Sequence, residues 1–256
     1  MLFARGFRRL RSRRPEYAGW DRAALFALAV VAGLGALSAP LDELAEESLS
    51  AHMLQHMLLA DLAPALALVA VRGPLLLFVT PEFLLRAVAR SPRARVTLAT
   101  LTRPLTAFVI WGSTFAFWHV PAVYDATLAR APLHELEHVC FALAGTLAWL
   151  QIVDPARRRA LGTVERLGFL LAMFTAGQML AMTLVLVQRP LFDAYAGADD
   201  RVFGLGARED QQAAGIVMML EQMLVLGTAA SFLIRRHLGE SSGAAGAEEP
   251  SHPLAA

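Results

Sequence analysis

The sequence predicts an all-α integral membrane protein, a polytopic bundle of about six transmembrane helices with an interfacial segment after the second span. Of its 256 residues, 56% are hydrophobic, and the mean hydropathy is +0.49. Apolar runs of about 20 residues, the length that crosses about 30 Å of hydrocarbon, recur along the chain. Such runs are longer than a soluble core of this size would contain.

The first element is a basic arm at residues 1–20, followed by an apolar run at 23–39. This run is short enough to belong to a cleaved signal peptide, but ALSAP is a poor match to a small-x-small cleavage site. We therefore favour a retained first span.

Five further apolar runs have spanning length, at 49–71, 98–120, 132–152, 165–187 and 211–234. The stretch at 74–90 is apolar in part, but its prolines and charges favour an interfacial segment over a seventh crossing. The runs define a transmembrane domain at 21–238. The small, polar tail at 239–256 is expected to be disordered in the cytoplasm.

The arginines predict the orientation. All 23 basic residues are Arg; with the N-terminus inside, 19 lie in cytoplasmic segments and four in outer loops. This asymmetry favours a multi-pass protein of the bacterial plasma membrane with both termini cytoplasmic.

Composition and motifs exclude several function classes. The single cysteine, Cys140, excludes an internal disulfide, a Cys-based zinc site and a CxxC redox motif. The chain contains no nucleotide-binding, P-loop or catalytic-triad motif, so we expect neither an enzyme nor a nucleic-acid partner.

The most informative stretch is SAHMLQHMLLADLAP, at Ser50–Pro64. On a helix, His52 and His56 lie about 40° apart, with Met53 and Met57 as the adjoining stripe. A charged group at mid-helix costs roughly 2.5 to 3.5 kcal/mol on insertion scales, so polar side chains here usually face a protein interior.

The sequence LHELEH repeats the one-turn spacing with His134 and His138, and Glu137 lies beside them as a candidate hydrogen-bonding partner of a metal-bound imidazole. His119 ends the third span. The predicted topology places these five histidines in the outer leaflet, and Asp61 deeper, where it is suited to tune the charge of the site or to relay a proton.

Methionines add soft donors. Met179 and Met182 in the fifth span, and Met219 and Met223 in the sixth, lie in the outer halves of their helices. Imidazole and thioether together suit cuprous copper. The candidate metal set is His52, His56, His119, His134 and His138, with support from Met53, Met57, Asp61, Glu137, Met179, Met182, Met219 and Met223.

Simpler interpretations stay open for single residues. A lone intramembrane histidine such as His119 is more often a hydrogen-bonded packing residue than a ligand. Each single methionine is more often a filler of apolar gaps, and Glu221 fits a helix–helix hydrogen bond equally well. Two histidine pairs at one depth favour a metal or haem role.

Four stretches, SAHMLQHMLLADLAP, FWHVPAVYDATL, LHELEHVCFALAG and EDQQAAGIVMM, resemble the membrane-integral CtaG family of cytochrome c oxidase assembly factors, associated with caa-type oxidases. The resemblance covers approximately Ser50 to Arg235. It implies a multi-pass plasma-membrane protein that helps a haem-copper oxidase to mature, with oxidase subunits as partners. It also implies that the five histidines belong to the family's histidine set.

The leading hypothesis is a non-catalytic assembly factor that holds Cu(I) near the outer membrane surface and passes it to an oxidase subunit. The alternatives are a membrane protein with b-type haem between His56 and His138, a membrane di-iron oxidase, and a docking chaperone that binds no metal. Under every metal hypothesis, spans two, three and four converge at their outer ends.

Overall fold

The computed structural model describes residues 2–158, 160–196 and 204–247, and this part of the chain is helical without strands. The helices are α1 Leu2–Arg11, α2 Trp20–Ala36, α3 Leu41–Glu47, α4 Leu49–Met57, α5 Ala63–Val71, α6 Pro74–Val79, α7 Glu82–Arg90, α8 Pro92–Leu101, α9 Pro104–Trp118, α10 Pro121–Leu128, α11 Ala131–Val153, α12 Thr163–Leu186 and α13 Ala207–Ala247.

Five helical segments are long and apolar enough to cross a membrane, at Pro15–Ala36, Leu49–Val71, Ala131–Val153, Thr163–Leu186 and Ala207–Gly239. The pair α9 and α10, bent by 73°, makes a sixth when it is counted as one broken span. The predicted polytopic helical bundle is thus confirmed.

The second span lies at the centre of the bundle. In its most apolar window 61% of the residues are buried, against 11% in the first span and 22% in the last. It contacts α2, α11 and α13, while α12 packs along α13 and α9 packs along α11. Side chains of the central span therefore meet side chains from three neighbouring helices.

This central span is not a single regular α-helix. Between α4 and α5, residues Leu58–Leu62 form one π-helical turn, in which the Ala63 N–H donates to the Leu58 carbonyl five residues back. Such turns interrupt α-helices at a local cost in hydrogen-bond geometry and recur at functional sites.

The third span differs from its predicted bounds of 98–120. Residues 98–101 belong to the separate helix α8, because Arg103 has extended backbone angles before Pro104, which starts α9. The helix then breaks after Trp118, and Pro121 begins α10 in a new direction.

The segments outside the spans are also helical. The basic arm contains α1, whose Phe7 and Leu10 pack with Leu75 of α6. In the predicted interfacial segment, α6 and α7 are too short to span, and no residue of α7 is buried. The last helix continues to Ala247, past the predicted start of the tail; residues 248–256 lie outside the described residues.

Candidate metal centre

The first pair of histidines is positioned by the start of α4. Ser48 caps this helix, since its Oγ accepts from the Ala51 N–H at 3.4 Å. Asp210 of α13 accepts from the backbone N–H groups of Leu49 at 2.7 Å and Ser50 at 3.1 Å. A carboxylate at a helix N-terminus satisfies free N–H groups and is favoured by the helix dipole. Asp210 thus fixes α4 against the last span.

On α4, His52 and His56 are 0% and 1% exposed. Their Nε2 atoms lie 2.9 Å apart, and their rings meet edge to face. The one-turn spacing therefore places both imidazoles at a single point in the bundle, as the sequence predicts.

The second pair comes from the start of α11. Its ring centroids lie 5.0 Å from His52 for His134 and 5.4 Å from His56 for His138. One ring nitrogen from each of the four residues falls within 4.8 Å of the other three. The predicted convergence of the second and fourth spans is confirmed.

The four nitrogens fit one metal ion. Nitrogen ligands bind first-row ions at about 2.0 to 2.1 Å, so two ligands of one tetrahedral ion lie roughly 3.3 Å apart and two opposed ligands roughly 4.1 Å apart. The 2.9 Å between His52 and His56 and the 4.8 Å limit of the group bracket these values. To bind one tetrahedral ion, the closest pair would have to separate by about 0.4 Å and the widest pair to approach by up to about 1.5 Å.

Unpartnered nitrogens support the same reading. Among the described residues, the Nε2 atoms of His134 and His138 are buried without a hydrogen-bond partner. A buried polar atom without a partner costs about 1 to 3 kcal/mol, which coordination of an ion would offset.

Tyr195, in the segment between the last two spans, sets the tautomer of His52. Its hydroxyl donates to the Ala45 carbonyl at 2.7 Å and lies 2.9 Å from His52 Nδ1. Because a phenol has one proton and the carbonyl can only accept, Nδ1 of His52 must donate to the tyrosine oxygen. In the neutral ring, Nε2 then presents its lone pair to the cluster.

Burial raises the pKa of the Tyr195 hydroxyl above its ordinary value. The phenol therefore keeps its proton at neutral pH, and the tautomer of His52 stays defined. This arrangement is the usual one for a metal-binding imidazole, whose second nitrogen donates to a fixed acceptor.

Glu137 brings a carboxylate close to the cluster. It is fully buried, and its Oε1 lies 3.7 Å from His56 Nε2, beyond hydrogen-bonding distance. A negative charge here would stabilise a bound cation through a medium of low polarity.

His119 lies outside the four-nitrogen group. Its Nδ1 donates to the Phe115 carbonyl at 2.7 Å, and its ring contacts Phe141, which also contacts His56. Its Nε2 is buried without a partner in the described part of the chain. The structure thus brings together four of the five histidines that the sequence proposes.

The methionines divide into two sets. Met53 and Met57 are buried in an apolar cluster with Phe115 and Trp118, and Met219 packs against the same cluster. The other three lie on the outer surface of the bundle, with exposed fractions of 69%, 41% and 55% for Met179, Met182 and Met223. These three do not face the histidines, because their helices turn that side toward lipid.

Asp61 also lies outside the four-nitrogen group. It is buried in the π-helical turn, where Oδ1 accepts from Trp149 Nε1 at 2.8 Å, and it interacts electrostatically with Glu221 of α13. The two acids and the indole form a separate polar contact deeper in the bundle.

Tyr195 and Asp210 are the contributors that sequence reasoning did not assign to the site. Neither lies at one-turn spacing from a histidine. Tyr195 contacts His52 and Asp210 contacts the start of α4, each across more than 140 residues of chain. The only local signal was the position of Asp210 just before an apolar helix.

The family described as cytochrome c oxidase caa3 assembly factor (Caa3_CtaG) matches residues 1–239. No curated protein and no solved structure matches the chain.

Proposed function

Because this chain belongs to the cytochrome c oxidase caa3 assembly factor family, we propose that it holds a cuprous ion between His52, His56, His134 and His138 and passes it to an oxidase subunit. The single observation that carries the proposal is the convergence of four imidazole nitrogens within 4.8 Å at one end of a membrane bundle. The proposed role is non-catalytic, with oxidase subunits as partners.

The choice of copper rests on the family together with the donor set. Imidazole suits copper, zinc, iron and nickel alike, so nitrogen ligands alone do not select among these ions. Haem-copper oxidases contain copper, and their assembly requires its delivery. A d¹⁰ cuprous ion accepts four nitrogen ligands, the number that the cluster offers.

Transfer requires that the ion can leave. Three of the four histidines are at least nine-tenths buried, whereas His134 is only half-buried. Ligand exchange would therefore begin at His134, and the buried carboxylate of Glu137 would keep the cation bound until a partner supplies competing ligands.

Two other metal functions fit the geometry less well. A haem between His56 and His138 would need its macrocycle where His52, His134 and Phe141 already lie. A di-iron centre needs several bridging carboxylates, whereas the four-residue group contains none. The metal-free docking chaperone is the alternative that the following experiment addresses.

The test is an anaerobic titration of cuprous ion against a competing chelator. We expect the wild-type protein to bind one ion and a variant with alanine at 52, 56, 134 and 138 to lose binding by at least about a hundredfold. His237→Ala, far from the cluster, is the control and should bind normally.

His119→Ala separates a four-histidine site from a five-histidine site, and we expect it to retain most of the affinity. Equal, weak binding by the wild-type and the fourfold variant would contradict the proposal and favour the docking chaperone. A reduced haem spectrum in the purified protein would contradict both.

A further inference from the structure

A cavity of about 620 Å³ opens beside the histidine cluster. Its walls come from four separate elements: Glu46 of α3, Asp125 and Thr127 of α10, His134 of α11, and Asp193 of the segment before α13. Residues distant in the chain thus enclose a space at the end of the bundle where the cluster lies.

His134 joins the cavity to the cluster. It lines the cavity and also contributes a ring nitrogen to the four-nitrogen group. It is the most accessible of the four histidines, and its Nε2 has no hydrogen-bond partner among the described residues. The His134 ring therefore lies between the solvent in the cavity and the three more deeply buried imidazoles.

The cavity walls are acidic. Three carboxylates line the space, and the described lining residues include no arginine, although arginine is the commonest charged residue of the chain. Glu46 interacts electrostatically with His134. Acidic walls in a cleft concentrate cations and raise their association rate by about 10-fold or more.

One of these acids, Asp125, is engaged in hydrogen bonds that stabilise the fold. Asp125 accepts from the backbone N–H groups of Asp193 at 3.3 Å and Ala194 at 3.1 Å, next to Tyr195. It holds the segment that carries Tyr195 against α10. Glu46 and Asp193 are therefore the appropriate residues for testing the charge of the cavity.

We propose that this acidic cavity is the route by which the metal cation reaches and leaves the cluster, with His134 as its first ligand. The proposal rests on the proposed function and adds a direction of access to it. The cation passes Glu46 and Asp193, binds His134, and then moves inward to the other three imidazoles.

The test compares rates with affinity. Purified protein is mixed anaerobically with the cuprous acetonitrile complex in a rapid-mixing instrument, and dissociation is followed with excess chelator. The double variant Glu46→Gln, Asp193→Asn should take up the ion about tenfold more slowly at low ionic strength. The difference should nearly vanish at about 1 M salt, where the Debye length is about 3 Å.

The charge control is the double variant Glu43→Gln, Glu47→Gln. Both residues are exposed on α3, the helix of Glu46, and neither lines the cavity. Removing the same amount of charge there should change the uptake rate less than twofold.

A second variant tests the route by blocking it. Ala129 lines the cavity and is exposed. Ala129→Trp should slow uptake and release by the same factor and leave the affinity unchanged, because an obstacle in a path alters both rates equally. Ala122→Trp, exposed on α10 but outside the lining, is the matched control, because it makes the same neutral exchange.

These experiments distinguish failure of the proposed route from failure of the proposed function. Wild-type rates in both Ala129→Trp and the acidic double variant would overturn the route while leaving the metal site in place. Absence of cuprous binding in the wild-type protein would overturn the proposed function, and the route with it.

Discussion

At the scale of single residues, the hydroxyl group of Tyr195 fixes the tautomer of His52. Its one proton is committed to the Ala45 carbonyl, so the neighbouring His52 has to donate from Nδ1 and offer Nε2 to the cluster. The ligating nitrogen is thereby chosen before any ion arrives, which lowers the reorganisation that binding requires.

Replacement of this hydroxyl gives a prediction. Tyr195→Phe should lower the cuprous affinity about tenfold, the lower end of the range for losing the partner of a metal-bound imidazole. Chelator competition measures the affinity, and the ¹⁵N shifts of the His52 ring report its tautomer.

Tyr17→Phe, at the start of the first span, is the control and should bind as the wild type does. An unchanged ¹⁵N tautomer signature together with unchanged affinity in Tyr195→Phe would show that the tyrosine only packs.

The sequence identifies the clustered histidines but not what orients them. His52, His56, His134 and His138 stand out because one-turn spacing places imidazoles on one helix face. Tyr195 and Asp210 act across the fold, and no local periodicity marks them. His119 joins the predicted set because it ends its span at the same predicted depth, and depth alone does not tell which rings it contacts.

At the scale of elements, the site depends on close contact between α11 and the central span. A Cβ at Gly145 would lie 1.9 Å from the Ala60 carbonyl oxygen and within 3 Å of two other backbone atoms. Only glycine permits this approach, which holds the start of α11 and its histidines against α4.

Gly145→Ala should therefore force α11 away from the π-helical turn. Overpacking of this kind costs about 1 to 3 kcal/mol, and separation of the histidine pairs should weaken metal binding at the same time. Thermal unfolding in detergent and cuprous titration measure the two effects.

The matched control is Gly112→Ala on α9, where a Cβ would meet no atom within 4 Å. This variant should be as stable as the wild type or slightly more stable, since alanine is favoured over glycine by about 1 kcal/mol in helix interiors. Equal unfolding temperatures and equal cuprous affinities in the two variants would show that the close contact at Gly145 does not hold α11 in place.

Helix faces explain why periodicity alone does not assign the methionines to the site. Periodicity shows that Met179 and Met182 share an arc of α12, but not whether that arc faces protein or lipid. In a bilayer both environments are apolar, so hydrophobicity does not decide between them. The side of a helix on which histidines lie can be predicted, because an imidazole that faces lipid is energetically unfavourable.

At the scale of the whole molecule, the apolar runs and the bundle agree. The spans follow from apolar run length, and the second span matches its predicted bounds at Leu49–Val71. The third span was misplaced because hydropathy does not register the helix breaks before Pro104 and near Pro121.

Six crossings and a cytoplasmic excess of arginine predict that the histidine cluster faces the outside. In a Cys140→Ser background, Glu43→Cys should react with a membrane-impermeant maleimide in intact cells. Glu82→Cys should react only after the membrane is opened. Both positions are exposed, so accessibility within the fold does not differ. The reverse labelling pattern would invert the topology and place the acidic cavity inside.

The π-helical turn at Leu58–Leu62 has a consequence for comparing relatives. One residue more in a regular α-helix rotates everything beyond it by about 100°, whereas a π-helical turn absorbs the extra residue within one wider turn. A relative one residue shorter between His56 and Ala63 would therefore form a regular α-helix there and still direct its first histidine pair toward α11. The four histidines, and not the number of residues in this turn, are thus the features to compare among relatives. A one-residue alignment gap there is compatible with an intact histidine cluster.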